Sequence, residues 1–277
     1  MSSLSINHIE IVVDDLTKFS FLFIEKMGFR PSPARETWGV RSLLLSQGRA
    51  HVRLMPVSKA WTEEDQFVSM HGTAVRDIGL SVPHVMQTVE SVLAAGGRVL
   101  DQASDGKFAV VQLFDGLRHT LEETRTLDLA CVDGETPNIV GIDHVAICLQ
   151  SSRFDEVIER YARAFGLSVS HEEYVATDVT AMNSKVLSDE DGKTRFVFLE
   201  PKPAANKSQI EIFMNNHGGA GVQHVAFVVR EILQASEFLR TRDVQFLPVP
   251  PSYYQGLEER VGPIDRELDN LDRKSVV

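Results

Sequence analysis

His144 and His224 are the residues of this chain whose type and placement most directly suggest chemistry. Each sits inside an apolar run, Ile142-Asp-His144-Val-Ala-Ile-Cys-Leu and Val222-Gln-His224-Val-Ala-Phe-Val-Val, of the kind that forms a buried strand. Two imidazoles brought to one cavity suit a borderline divalent ion such as Fe(II), Zn(II) or Mn(II). The only cysteines, Cys131 and Cys148, lack CxxC spacing, so neither a disulfide framework nor a cysteine-type zinc site is indicated. A metal here must rely on histidine and carboxylate.

The elements that position the pair follow from an internal repeat. Ile6-Asn-His8-Ile-Glu-Ile-Val-Val reappears 136 residues later as the segment around His144, and Gly72-Thr-Ala-Val-Arg-Asp77-Ile-Gly-Leu-Ser-Val as Gly219-Ala-Gly-Val-Gln-His224-Val-Ala-Phe-Val-Val. Helical periodicity follows each strand, at Leu16 to Met27, Val85 to Ala95, Arg153 to Phe165 and Ile232 to Arg240. Hairpin strands are expected at 42–45, 51–55, 181–187 and 194–199, with return strands at 98–100 and 244–247. The repeat makes His8 equivalent to His144 and Asp77 equivalent to His224. The first half therefore offers one imidazole and one carboxylate, a weaker donor set. His51, His71, His84, His119, His171 and His217 have no comparable placement and are not proposed as ligands. His71 and His217 read as turn residues ahead of a strand.

These patterns predict an α+β protein of two tandem βαβββ-repeat domains, with open, cupped sheets and helices outside. Residues 1–124 form the first domain, without a competent metal site. Residues 125–139, rich in turn formers, form the linker, and residues 140–277 form the metal-binding domain. The hydrophobic content of 43% and charged content of 24% are those of a globular protein with a sizeable core. No apolar run reaches the roughly 18–20 residues of a membrane span, and Met1-Ser-Ser-Leu does not open a leader peptide. A cytoplasmic location is expected, with no membrane partner. A net charge of −11 disfavours nucleic acid. A homo-oligomer is also expected.

The second half resembles the catalytic half of the 4-hydroxyphenylpyruvate dioxygenase family, within the vicinal oxygen chelate fold. The strings that carry the resemblance are Gly141-Ile-Asp-His144, Ala181-Met-Asn-Ser184-Lys-Val-Leu, Glu200-Pro201, Lys207-Ser-Gln209-Ile210, Gly219-Ala-Gly-Val-Gln223-His224 and Pro250-Pro-Ser-Tyr-Tyr254, in the family's order. The first half is similar more diffusely, through Lys26-Met-Gly-Phe29, His71-Gly72 and Arg118-His-Thr-Leu. The resemblance implies that His144 and His224 are two ligands of a 2-His-1-carboxylate Fe(II) site, with no catalytic group beyond the metal ligands. It implies an aromatic 2-oxo acid and O₂ as substrates, the acid chelating the metal and losing its carboxylate as another part of the same molecule is oxidised. By the same resemblance Ser184, Gln209 and Gln223 line the substrate pocket. Strand alternation puts Gln223 on the face opposite His224, as support for that site.

Two departures qualify the match. Leu199, in Phe196-Val-Phe-Leu199-Glu200-Pro201, stands where homogentisate-forming members have Asn, and an apolar residue there resembles the 4-hydroxymandelate synthase branch; the product stays open between the two. The third ligand of the family, a Glu on the last closing strand, has no counterpart here. Neither Glu200 nor the acidic run Glu258, Glu259, Asp265, Glu267 and Asp269 fits its motif. The expectation is a second domain without its closing strands, in a chain truncated after Val277. Three other functions stay in view: a glyoxalase-type isomerase, an extradiol ring-cleaving dioxygenase, and a non-catalytic arylpyruvate-binding protein.

Overall fold

The computed structural model describes residues 4–32, 42–58, 62–123, 138–176 and 180–247. Most of the expected linker, the Tyr253-Tyr254 segment and the acidic C-terminal run lie outside them. In the first module the elements run β1 (Ser5–Val13), α1 (Leu16–Phe21), β2 (Arg30–Pro31), β3 (Leu43–Gln47), β4 (Ala50–Pro56), α2 (Glu63–His71), β5 (Ala74–Val82), α3 (Val85–Ala94), β6 (Arg98–Gln102), β7 (Phe108–Phe114) and β8 (Leu117–Glu123). The second has β9 (Ile139–Cys148), α4 (Phe154–Phe165), β10 (Ser168–Ala176), β11 (Ala181–Ser188), β12 (Arg195–Lys202), α5 (Gln209–His217), β13 (Gly221–Val229) and α6 (Ile232–Thr241). β9 thus begins one residue inside the expected linker.

The first sheet has the order β2-β3-β4-β1-β5-β8-β7-β6 and the second β10-β11-β12-β9-β13. In each, the opening strand pairs in parallel with the end of its own hairpin, β1 with β4 and β9 with β12, and antiparallel with the strand that opens the next unit, β1 with β5 and β9 with β13. The return strand expected at 244–247 is not formed among the described residues. Its first-module counterpart β6 is held by β7. A single extended segment without a partner has no ladder to define it.

Two helices beyond the expected set, α2 and α5, precede β5 and β13. Each starts at a capping box. The Thr62 amide donates to Asp65 Oδ2 at 3.0 Å, and the Ser208 amide to Glu211 Oε2 at 2.7 Å, while each hydroxyl accepts from the third residue's amide. Thr62-x-x-Asp65 and Ser208-x-x-Glu211 were legible signals of a helix start. The expected helix from Leu16 ends its α-helical part at Phe21 and continues as a π-helical turn over Leu22–Lys26, which brings Phe23 edge-on to Phe29 at 5.3 Å.

The largest core joins the modules. α4 contributes Phe154, Val157, Ile158, Tyr161 and Ala164, a helical stripe that packs with α3 and with the face of the second sheet that bears Val145 and Ile147. Gly166 stops α4 at φ 66°, a left-handed position that suits glycine. Tyr161 is fully buried, and its hydroxyl meets His119 Nε2 at 2.7 Å across the module boundary. Burial lowers the His119 pKa to about 4, so the imidazole is neutral and structural. Among the described residues no helix is long and apolar enough to cross a membrane.

Candidate metal centre

His144 and His224 meet on one face of the second sheet. Their rings lie edge to face with centroids 5.5 Å apart. Pairing of Ala146 with His224 across β9 and β13 sets this meeting, since Ala146 is two residues from His144 on the same face. β-Bulges aim both rings. Gln223 is the extra residue between Val222 and His224, and Asp143 the extra residue where Ala226 and Phe227 face His144 and Ile142. The same two bulges recur in the first sheet, at Asn7 and Arg76, so they belong to the module rather than to the metal.

Each bulged residue holds the imidazole after it. Asp143 Oδ2 lies 2.7 Å from His144 Nδ1, and its Oδ1 accepts from Arg195 at 2.9 Å. A carboxylate only accepts, so Nδ1 carries the proton and Nε2 presents its lone pair. Gln223 Oε1 lies 3.2 Å from His224 Nδ1, which leaves the second Nε2 free in the same way. The face expected for Gln223 from simple alternation is therefore corrected: the bulge interrupts the two-residue period and turns its side chain to His224. Burial, and then the neighbouring His144, lower the His224 pKa, which favours the neutral form a metal needs. The donor set fits a borderline divalent ion. Among the described residues no group of three or more His, Cys, Asp or Glu completes it.

Replacing Asp143 with Asn keeps the size but removes the charge that holds the His144 tautomer and binds Arg195. Metal affinity of Asp143→Asn is expected to fall about 10- to 100-fold. Competition against a chromophoric chelator measures it, and an unchanged affinity would remove Asp143 from the site.

The sheet face that carries the two histidines is apolar beyond them. Ala146, Cys148, Leu199 and Ile210 form one small core with Met182, Val197, Phe213 and Met214, so α5 packs on this face. Ser184 is buried beside Leu199, its cross-strand partner. Gln209 is the first residue of α5 and is exposed, apart from that core. Burial pushes the Cys148 thiol up to about 12, which makes it a packing residue. Glu200 is buried against Asn183 and Lys202. Asp143 and Arg195 had not been singled out in the sequence; the Asp143-His144 step was visible but ambiguous without the bulge.

The first module shows why equivalent residues need not make equivalent sites. His8 faces Gly79 across the sheet, and a Cβ on Gly79 would lie 2.2 Å from two atoms of the His8 ring. The ring therefore lies back on the neighbouring strand, buried, with its pKa lowered to about 3, chiefly by burial. The second module has Ala226 at that place, and the methyl group denies His144 the same rest position. Where a metal would sit, the first module has guanidinium groups. Glu10 accepts from Arg76 Nη2 at 2.9 Å, and Asp77 accepts from the Thr120 amide and hydroxyl at 3.0 and 2.9 Å.

Burial, and then the like charge of Glu10, push the Asp77 carboxyl from its usual range up to about 7. Between the ordinary carboxylate range and about pH 7 the folded protein keeps a proton that the unfolded chain has released. Its contribution to stability therefore falls as pH rises through that window. Asp77→Asn, which preserves an acceptor for the Thr120 amide, is expected to gain on the parent by about 1–2 kcal/mol as pH goes from about 5 to about 8. Thermal unfolding at both pH values checks it; a constant difference between the proteins would contradict it.

Two sheets of this order, with two imidazoles side by side on one face, define a tandem vicinal oxygen chelate protein, and residues 141–265 match the Glyoxalase/Bleomycin resistance protein/Dioxygenase superfamily. The chain is 27% identical to 4-hydroxyphenylpyruvate dioxygenase of Yarrowia lipolytica, covering 95% of this chain and 75% of that one, and 23% identical to the Caenorhabditis briggsae enzyme of that name, covering 98% and 78%. A mutant of 4-hydroxymandelate synthase from Streptomyces coelicolor superposes with a TM-score of 0.84 at 26% identity, over 100% of this chain and 84% of that one. Along nearly its whole length the chain is thus similar to 4-hydroxyphenylpyruvate dioxygenases and to 4-hydroxymandelate synthase.

Proposed function

We propose that this protein is an Fe(II)-dependent, decarboxylating dioxygenase of 4-hydroxyphenylpyruvate, acting in the cytoplasm. The observation that carries the reading is the pair of imidazoles, each tied through Nδ1 with its Nε2 left free, beside an apolar sheet face. Fe(II) held by His144 and His224, with a further ligand from outside the described residues, would supply a template where a 2-oxo acid and O₂ meet. The protein's own part is to bind, orient and exclude water. Val197, Leu199 and Met182 would offer a surface to the aromatic ring, with Phe213 and Met214 facing it from α5, and Ser184 is the cross-strand partner of Leu199 in the sheet. The buried hydroxyl can donate to a phenol or a carbonyl.

Leu199 bears on the product. An aliphatic side chain at this position neither donates to nor accepts from the ring, so Leu199 itself holds the aromatic end by shape, and 4-hydroxymandelate is the product we assign. The test is anaerobic loading with Fe(II), then addition of 4-hydroxyphenylpyruvate and O₂, with the products separated by mass and retention. Equimolar CO₂ and 4-hydroxymandelate are expected. Homogentisate would overturn the product assignment and keep the activity; no O₂ uptake would overturn both.

A further inference from the structure

The first module carries a cavity between α2 and the half of its sheet made by β5 to β8. It lies beneath α2, with a volume of about 260 Å³, and its wall includes Phe67, Met70, Leu100 and Leu117 together with Arg76 and Arg118. α2 precedes β5 as α5 precedes β13, so the two helices stand in the same relation to their sheets. That volume lies just below the roughly 300–1,000 Å³ of ordinary ligand pockets, which limits an occupant to about one ring and a short chain.

The two guanidinium groups differ in what they lack. Arg76 is engaged: Nε and Nη2 bond Glu10 at 3.2 and 2.9 Å, and Nη1 bonds Glu64 at 2.7 Å. Arg118 approaches Asp77, Glu10 and Glu63 at 3.4, 3.5 and 3.6 Å, yet none of these contacts has the geometry of a hydrogen bond, and its Nε is buried with no partner among the described residues. Glu10 is already committed to Arg76, and Asp77 to Thr120. Glu63 stands 83% exposed at the rim, where solvent screens it and its side chain can turn away. A carboxylate entering the cavity would find in Arg118 a planar donor without bonds, the geometry that guanidinium groups use for two-pronged carboxylate binding.

We propose that the first module holds a second ligand site, for a small carboxylate with a single apolar ring, in which Arg118 binds the carboxylate and Phe67, Met70, Leu100 and Leu117 bind the ring. The upward push on the Asp77 carboxyl supports it, because a proton there weakens the one acidic neighbour nearest Arg118. The site is independent of the paired histidines and of any metal they hold.

The probe is 3-phenylpropionate, which has the ring and carboxylate but no 2-oxo group to chelate a metal. It is titrated into the full chain in EDTA and followed by amide chemical shifts. Saturable shifts on α2 and β8 are expected. Arg118→Met should weaken binding about tenfold or more, and so should Leu100→Trp, which blocks the cavity from an edge strand and leaves the ionic cluster intact. The neutral analogue 3-phenylpropanol should bind about tenfold more weakly, and His224→Ala should bind the acid as the parent does. Absence of saturable shifts on α2 and β8, parental binding in a folded Leu100→Trp or Arg118→Met protein, or loss of binding in His224→Ala would each overturn the site.

Discussion

His224→Ala is expected to lose Fe(II) affinity by more than about a hundredfold, beyond the effect of removing a residue that only supports a ligand. The physical reason is the small donor set. Two imidazoles converge at 5.5 Å between ring centroids, and no third described side chain can take over when one is removed. Ligand binding stabilises a fold by about 2.7 kcal/mol when the free ligand is a hundred times Kd, so thermal unfolding with and without Fe(II) reads the loss directly. The parent should gain stability on adding Fe(II), and His224→Ala should gain almost none. His171→Ala, at an exposed position on β10, should respond as the parent does. Retained Fe(II) stabilisation in His224→Ala would place the metal elsewhere. O₂-dependent decarboxylation should disappear with the affinity.

The next largest effect is expected where the two modules diverge. Gly79→Ala places a methyl carbon 2.2 Å from ring atoms of His8, which is buried and rigid, so relief requires moving the ring or the strand. Overpacking of this kind costs about 3 kcal/mol and lowers Tm by on the order of 5–10 °C. Circular dichroism melts measure it, and His8→Ala in the same chain should restore much of the loss because the clash has gone. An additive double variant would refute the ring-on-glycine account. The reverse change, Ala226→Gly, should cost only about 0.5–1 kcal/mol through backbone entropy while letting the His144 ring fall back on its strand. Its signature is weaker metal binding in a protein that is otherwise nearly as stable.

Much of the architecture was readable because it repeats. The segments around His8 and His144 share strand character, and the helices after them carry stripes such as Phe154, Val157, Ile158 and Tyr161. α2 and α5 escaped because each is a helix of only nine residues with a poorly segregated apolar stripe, although the Thr62-x-x-Asp65 and Ser208-x-x-Glu211 boxes marked their starts. The strand expected at 244–247 has the right residues and no described partner. Local composition favours an extended chain, but a strand exists only through another strand.

For the candidate site, residue type and repeat position were enough to select His144 and His224, because few side chains ligate borderline metals and the repeat gave both a defined place in a module. The family strings likewise named Ser184 and Leu199, which pair across the sheet, and Gln223, which bonds His224, whereas Gln209 lies exposed and apart from them. Tertiary structure decided the aim of each ring. Bulges at Asp143 and Gln223 set which acceptor holds which Nδ1, and the single methyl of Ala226 against the bare Gly79 separates an imidazole turned to its partner from one laid on the sheet. Those outcomes depend on cross-strand register, which joins residues about eighty positions apart, and no local pattern along one strand carries that information.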